Sequence, residues 1–181
     1  MKRALVAAFL LGTFVWGDRN TSAEPRVANA RQIPGIFSVL TGISDLEGDV
    51  QTYYEANAAK LPQFGNLSEV SMIFFLTELS YSSLYCNRFV GLESSKLSAQ
   101  RWAFQSVDFS ESLLQFQNQT RATSFFEAMS LQFWGRKLND EEKTILNEEF
   151  AGWIDGDKNN LKPALVGLCS IFLSSPQVWV Q

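Results

Sequence analysis

The chain has 181 residues, a formal charge of −4, 46% hydrophobic residues including 15 phenylalanines, two cysteines and no histidine. This length suits one domain with ample apolar area for a core, and the acidic balance disfavours a nucleic-acid partner because basic residues stand singly or in pairs such as Arg136 and Lys137. Without histidine, the Ser-His-Asp triad, the Cys-His pair, haem ligation and the common catalytic zinc sites are excluded together.

The N-terminus reads as a secretory signal peptide over residues 1–23. "MKR" is basic, "ALVAAFLLGTFVW" is an apolar run from Ala4 to Trp16, and "GDRNTSA" ends at Ala23, a small residue suited to cleavage. The run holds 13 residues, whereas a membrane-spanning helix needs about 20. The expectation is therefore export with cleavage and no permanent membrane anchor. A flexible segment over 24–32 and one α-helical domain over 33–181 should follow.

Within that domain the breakers and caps predict an all-α bundle of about six to seven helices. "IPGIFSVLTG" is a short helix with Pro34 near its start and Gly42 at its stop. "SDLEGDVQTYYEANAAKLP" takes Ser44 or Asp45 as its N-cap and ends before Pro62. From Asn66 to Gly91 a longer helix carries Val70, Ile73, Phe74, Leu84 and Cys86 on one broad face. Its centre is apolar nearly all round, as in a helix surrounded by others.

The polar link "GLESSKLSAQ" separates two halves, and "RWAFQSVDFSES" reads as irregular chain with a helix start at Ser110. Trp102, Phe104 and Phe109 crowd this link, where they either plug the bundle or form a candidate partner-binding surface. One interrupted or two consecutive helices end near Gly135, carrying Phe125, Phe126, Phe133 and Trp134 as core. "NDEE" then forms a capping box between Asn139 and Glu142. This helix runs to about Asp155, and a last one, "LKPALVGLCSIFLSS", stops at Pro176.

Fragments of this pattern, "LTGIS", "LP" and "YCNRFV", together with "FWGRKLNDEE" and "LCSIFLSSPQVWVQ", resemble exported bacterial proteins of unknown function. The second half is similar to a helical module near the ends of large planctomycete and proteobacterial secreted proteins, with its G-R-x-L-x-x-x-E start and S-S-P finish. The resemblance implies a helical fold and an exported source but carries no catalytic residue. Some such proteins are fused to cytochrome segments, and this chain has neither a C-x-x-C-H motif nor a histidine ligand.

Cys86 and Cys169 fall on apolar faces of predicted helices in a compartment that permits oxidation, so a structural disulfide is expected, with two buried thiols as the alternative. No catalytic residue, metal ligand or cofactor is assigned. Glu111, in "FSESLLQF", faintly resembles the Glu-Ser start of a lytic transglycosylase motif, but the continuations are missing and a first-turn acid explains it. Glu141, Glu142, Glu148 and Glu149 read as a solvated face. "DGDKNN" places Asp155, Asp157 and Asn159 as a calcium loop begins, yet Asn160 replaces the sixth-position glycine and Val166 the closing acid. The sequons at Asn66 and Asn118 matter only in a eukaryotic secretory pathway. The expected function is binding to another exported or envelope protein, or to a second copy, as an accessory or structural component. The alternatives are a carboxylate-dependent hydrolase such as a glycan-cleaving enzyme, and a self-associating surface subunit.

Overall fold

A computed structural model describes residues 26–45, 48–65, 70–116, 119–153 and 161–180. The signal segment with Ala23, both sequons, and the Asp155 to Asn160 turn lie outside the described residues. The fold is all-α, and the described residues form eight helices. They are α1 (Gln32–Thr41), α2 (Gly48–Asn57), α3 (Met72–Ser95), α4 (Leu113–Phe116), α5 (Gln119–Trp134), α6 (Asp140–Trp153), α7 (Leu161–Leu173) and α8 (Pro176–Trp179), with short 3-10 turns at Ala58–Lys60 and Ser98–Gln100.

The 24-residue α3 is the hub, packed most extensively on α7 and also against α2 and α1. At 1.5 Å rise per residue such a helix spans about 36 Å, long enough to touch most other elements. Ser71 caps it by accepting the Phe74 N–H at 3.2 Å, and it continues past Gly91, the expected stop, to Ser95. Gly91 is helical here, and glycine inside a helix weakens it only modestly when packing supports both sides. Its inward face carries Phe74, Tyr81, Tyr85, Cys86, Phe89 and Val90, all buried.

Cys86 and Cys169 are joined, with Cα atoms 5.7 Å apart and a sequence separation of 83. The bridge lies inside the seam between α3 and α7, where both cysteines are fully buried. It joins the two halves of the chain, as the sequence suggests.

Local signals set several other boundaries. Gly42, at φ 69°, ends α1 by donating its N–H to the Ser38 carbonyl, a left-handed C-cap that glycine adopts without strain. Asn139 and Glu142 form the expected capping box, Glu142 N–H to Asn139 Oδ1 at 2.8 Å and Asn139 N–H to Glu142 Oε2 at 2.9 Å. Pro176 does more than end the last long helix: Ser175 caps a further short turn, α8, with Pro176 in its first positions.

Two expectations need correction. The segment 24–32 is not flexible from Arg26 onward: Val27, Ala28 and Ala30 are buried. Their amides bond to Gly65, Trp179 and Pro62 carbonyls at 3.0, 2.7 and 2.6 Å. A side chain at Gly65, where φ is 72°, would place its Cβ 2.7 Å from the Val27 carbonyl oxygen, so the absence of a side chain lets this segment dock. Ile73, expected on one broad apolar face with Phe74 and Cys86, is 61% exposed. Its neighbour Phe74 is the residue turned to the core, against Trp179 with ring centroids 5.0 Å apart.

The bridge closes a long loop, so constraint of the unfolded chain predicts a contribution of about 4.5 kcal/mol. Urea denaturation of the Cys86→Ser/Cys169→Ser double variant should show a loss of this order. Alkylation of the denatured, unreduced protein should label no thiol, and reduction should make two available.

Candidate functional site

The aromatic link between the halves is organised by one buried carboxylate. Glu93, on the last turn of α3, is fully buried. Its Oε2 accepts the Trp102 and Ala103 N–H groups at 2.7 and 3.3 Å, and its Oε1 pairs with Lys96 Nζ at 2.7 Å. The loop therefore folds back over the end of the helix that precedes it. Phe104 enters the core between Phe89 and Phe125, 5.4 Å from each, and Phe109 packs 5.8 Å from Phe104 with the Arg101 guanidinium 4.8 Å over its ring. Of the three candidate binding aromatics, Phe104 is fully buried and Phe109 partly so, which makes both of them plug residues, while Trp102 keeps about half its surface exposed, at 52%.

Glu111 is not in a helix's first turn, as the sequence suggested, because α4 begins at Leu113 and is capped by Ser112 and Gln115. Its carboxylate pairs with Arg121 of α5 instead. Glu142 is likewise more than a solvated acid. Arg136 reaches both of its oxygens, bonds Gln177 at 2.9 Å and lies 5.2 Å over the Trp134 ring. That ion pair holds the Glu142 carboxyl below the usual carboxylate range, helped by the Asn139 amide. These groups stitch α6 to α8 and to the turn after α5.

One surface feature was not singled out by the sequence. Met72, Ile73, Phe75, Leu76 and Leu79 are all substantially exposed on the first two turns of α3, and Phe64, 90% exposed, stands on the loop before it. The spacing of three and four residues places Met72, Phe75, Leu76 and Leu79 on one helical face. An open cleft of about 540 Å³ borders this strip, lined by Leu61, Pro62, Phe64, Ser71 and Ile73 among others, with Lys60 the one ionisable side chain among the described lining residues. From Val70 to Asn87 the only charged side chain is Glu78, and it points inward, fully buried. A helix that is apolar all round gives no periodic clue to its outward face. The available signal was Glu78 and Ser82, polar residues that share the inward side.

Comparison with family models, with curated proteins and with solved structures finds no match for this chain.

Removing the Glu93 carboxylate leaves two buried backbone N–H groups without an acceptor. Glu93→Ala should therefore cost about 3 kcal/mol and increase protease cleavage within residues 97–112, read by urea denaturation and limited proteolysis. Glu142→Gln should cost about 1 kcal/mol at pH 7. Because the folded carboxyl titrates low, its contribution is present at neutral pH and is lost as pH falls through the folded value. The two proteins should converge in stability once the pH lies below the folded value.

Proposed function

We propose that this protein is exported and acts by binding another exported or envelope protein through the outer face of α3 and the adjoining cleft. The carrying observation is the group of exposed apolar side chains at Met72, Ile73, Phe75, Leu76 and Leu79, with Phe64 on the preceding loop and no exposed charge on the helix between Val70 and Asn87. Contiguous apolar surface of this kind is characteristic of contact sites. The partner surface it suits is itself apolar, such as the stripe of an amphipathic helix laid into the cleft beside Lys60.

The compartment is supported by two independent features. A bridged, buried cysteine pair favours a non-cytoplasmic compartment. The basic start and 13-residue apolar run at the N-terminus have the organisation of a cleaved export signal. Among the described residues no helix is long and apolar enough to cross a membrane. The half-exposed Trp102 is a secondary contact on the other half of the chain.

A photoreactive residue at position 76, introduced in cells that export the protein, should form an adduct with a second, different protein. The same residue at position 148, on the polar face of α6, should not. Leu76→Glu and Leu79→Glu should reduce the adduct formed from position 73 at least tenfold while leaving the urea midpoint nearly unchanged, since an exposed substitution shifts stability by about 0.5 kcal/mol or less. An adduct of twice the protein's own mass would replace the partner with a second copy. Equal labelling from positions 76 and 148 would overturn the reading.

A further inference from the structure

Glu78 is the one buried acid that nothing yet described employs. It sits in the first half of α3, fully buried, and neither carboxyl oxygen has a hydrogen-bond partner among the described residues. The hydroxyls of Ser80, Tyr81, Ser82 and Tyr85 on its own helix are engaged elsewhere, Ser80 with the Leu76 carbonyl. Ser82 donates towards the Leu79 and Ser170 carbonyls, while Tyr81 and Tyr85 share a hydrogen bond and Tyr85 donates to the Pro34 carbonyl. A buried, uncompensated carboxylate costs far more than a buried carboxylic acid.

Among the described residues no hydrogen-bond donor and no neighbouring charge acts on Glu78. On α7 the ionisable side chain is Lys162, which donates to Ser94 at the far end of the seam. On α2, Asp49 pairs with Arg88 of α3, Glu55 accepts from Gln51, and Tyr53 and Tyr54 are neutral phenols. Neither α1 nor α8 has an ionisable side chain. Lys60, in the 3-10 turn, donates to Asn57, and Arg121 and Glu127 of α5 pair with Glu111 and Lys143. Burial alone, with no neighbouring charge contributing, pushes the Glu78 carboxyl well above its ordinary value of 4.5.

We propose that Glu78 is a proton-dependent latch, holding the first turns of α3 against the core as a neutral acid and releasing them when it loses its proton. The release is local because of where the helix is pinned. Cys86 fixes α3 to α7 two turns further along, whereas the turns from Met72 to Leu79 have an exposed outer face and turn only one side to the core. Lifting them hydrates the carboxylate and separates Phe74 from Trp179. Those same turns carry the apolar strip, so the proton would set the geometry of that surface, although the latch itself does not depend on what binds there.

The linkage has a definite sign. The folded protein holds a proton that the unfolded chain gives up above about pH 4.5, so the contribution of Glu78 is fully present below that pH and declines as pH rises towards the folded value. The oxidised protein should lose up to tenfold in its folding equilibrium constant per pH unit in that window, and Glu78→Gln should remove this component. Hydrogen exchange, corrected for its intrinsic pH dependence, should show α3 amides 74–79 losing protection as pH rises while amides 165–172 of α7 keep theirs. Identical pH slopes in wild type and Glu78→Gln would overturn the proposal. So would pH-independent protection of amides 74–79 in the wild-type protein, a test that stands even if the glutamine variant fails to fold, and Glu78→Met supplies a second uncharged variant for the slope.

Discussion

The fold depends on the seam between α3 and α7, closed by the bond between Cys86 and Cys169 at its middle. On either side of that bond the helices are held by ordinary core packing, with Phe89, Val90, Leu165, Leu168 and Phe172 all buried. Burying such side chains yields about 1.5–3 kcal/mol each, so packing supplies the driving force and the covalent link fixes which halves meet. Everything else is arranged around this axis. The helices α1 and α2 cover one part of α3, residues 26–31 dock on Gly65, Pro62 and Trp179, and α5 packs on α7 and reaches α3 through Phe133.

The same helix carries two buried acids that meet opposite fates. Glu93, near its C-terminal end, gathers two loop amides and a lysine, and thereby turns an aromatic-rich connection into a lid on the core. Glu78, near its N-terminal end, finds no donor among the described residues. A satisfied buried carboxylate defines structure, whereas an unsatisfied one makes the surrounding packing conditional on its proton. The C-terminal end of α3 is thus firmly organised, and its first turns are the adjustable part.

Those first turns also hold the apolar strip, and the coincidence has a physical logic. A largely apolar helix has no polar face to spare for solvent, so where its outer side is uncovered it exposes leucines and a methionine. Ionic contacts elsewhere, such as Arg136 with Glu142 and Gln177, tie down the periphery. The surface most able to accept a partner is therefore an extension of the core.

Much of this was legible in the residues themselves. Helical class, the capping box at Asn139, the glycine stop at Gly42 and the cysteine pairing follow from local chemistry or from the compartment, and such signals act over a few residues. Phe104 and Phe109 were readable as aromatic but not as plug or surface, because that depends on Glu93 capturing amides nine and ten residues away. The burial of Glu78 and the exposure of Ile73 and Leu76 were not readable from periodicity. In a helix apolar on every side, periodicity cannot say which face turns inward, and only packing against α7, α2 and α8 decides it.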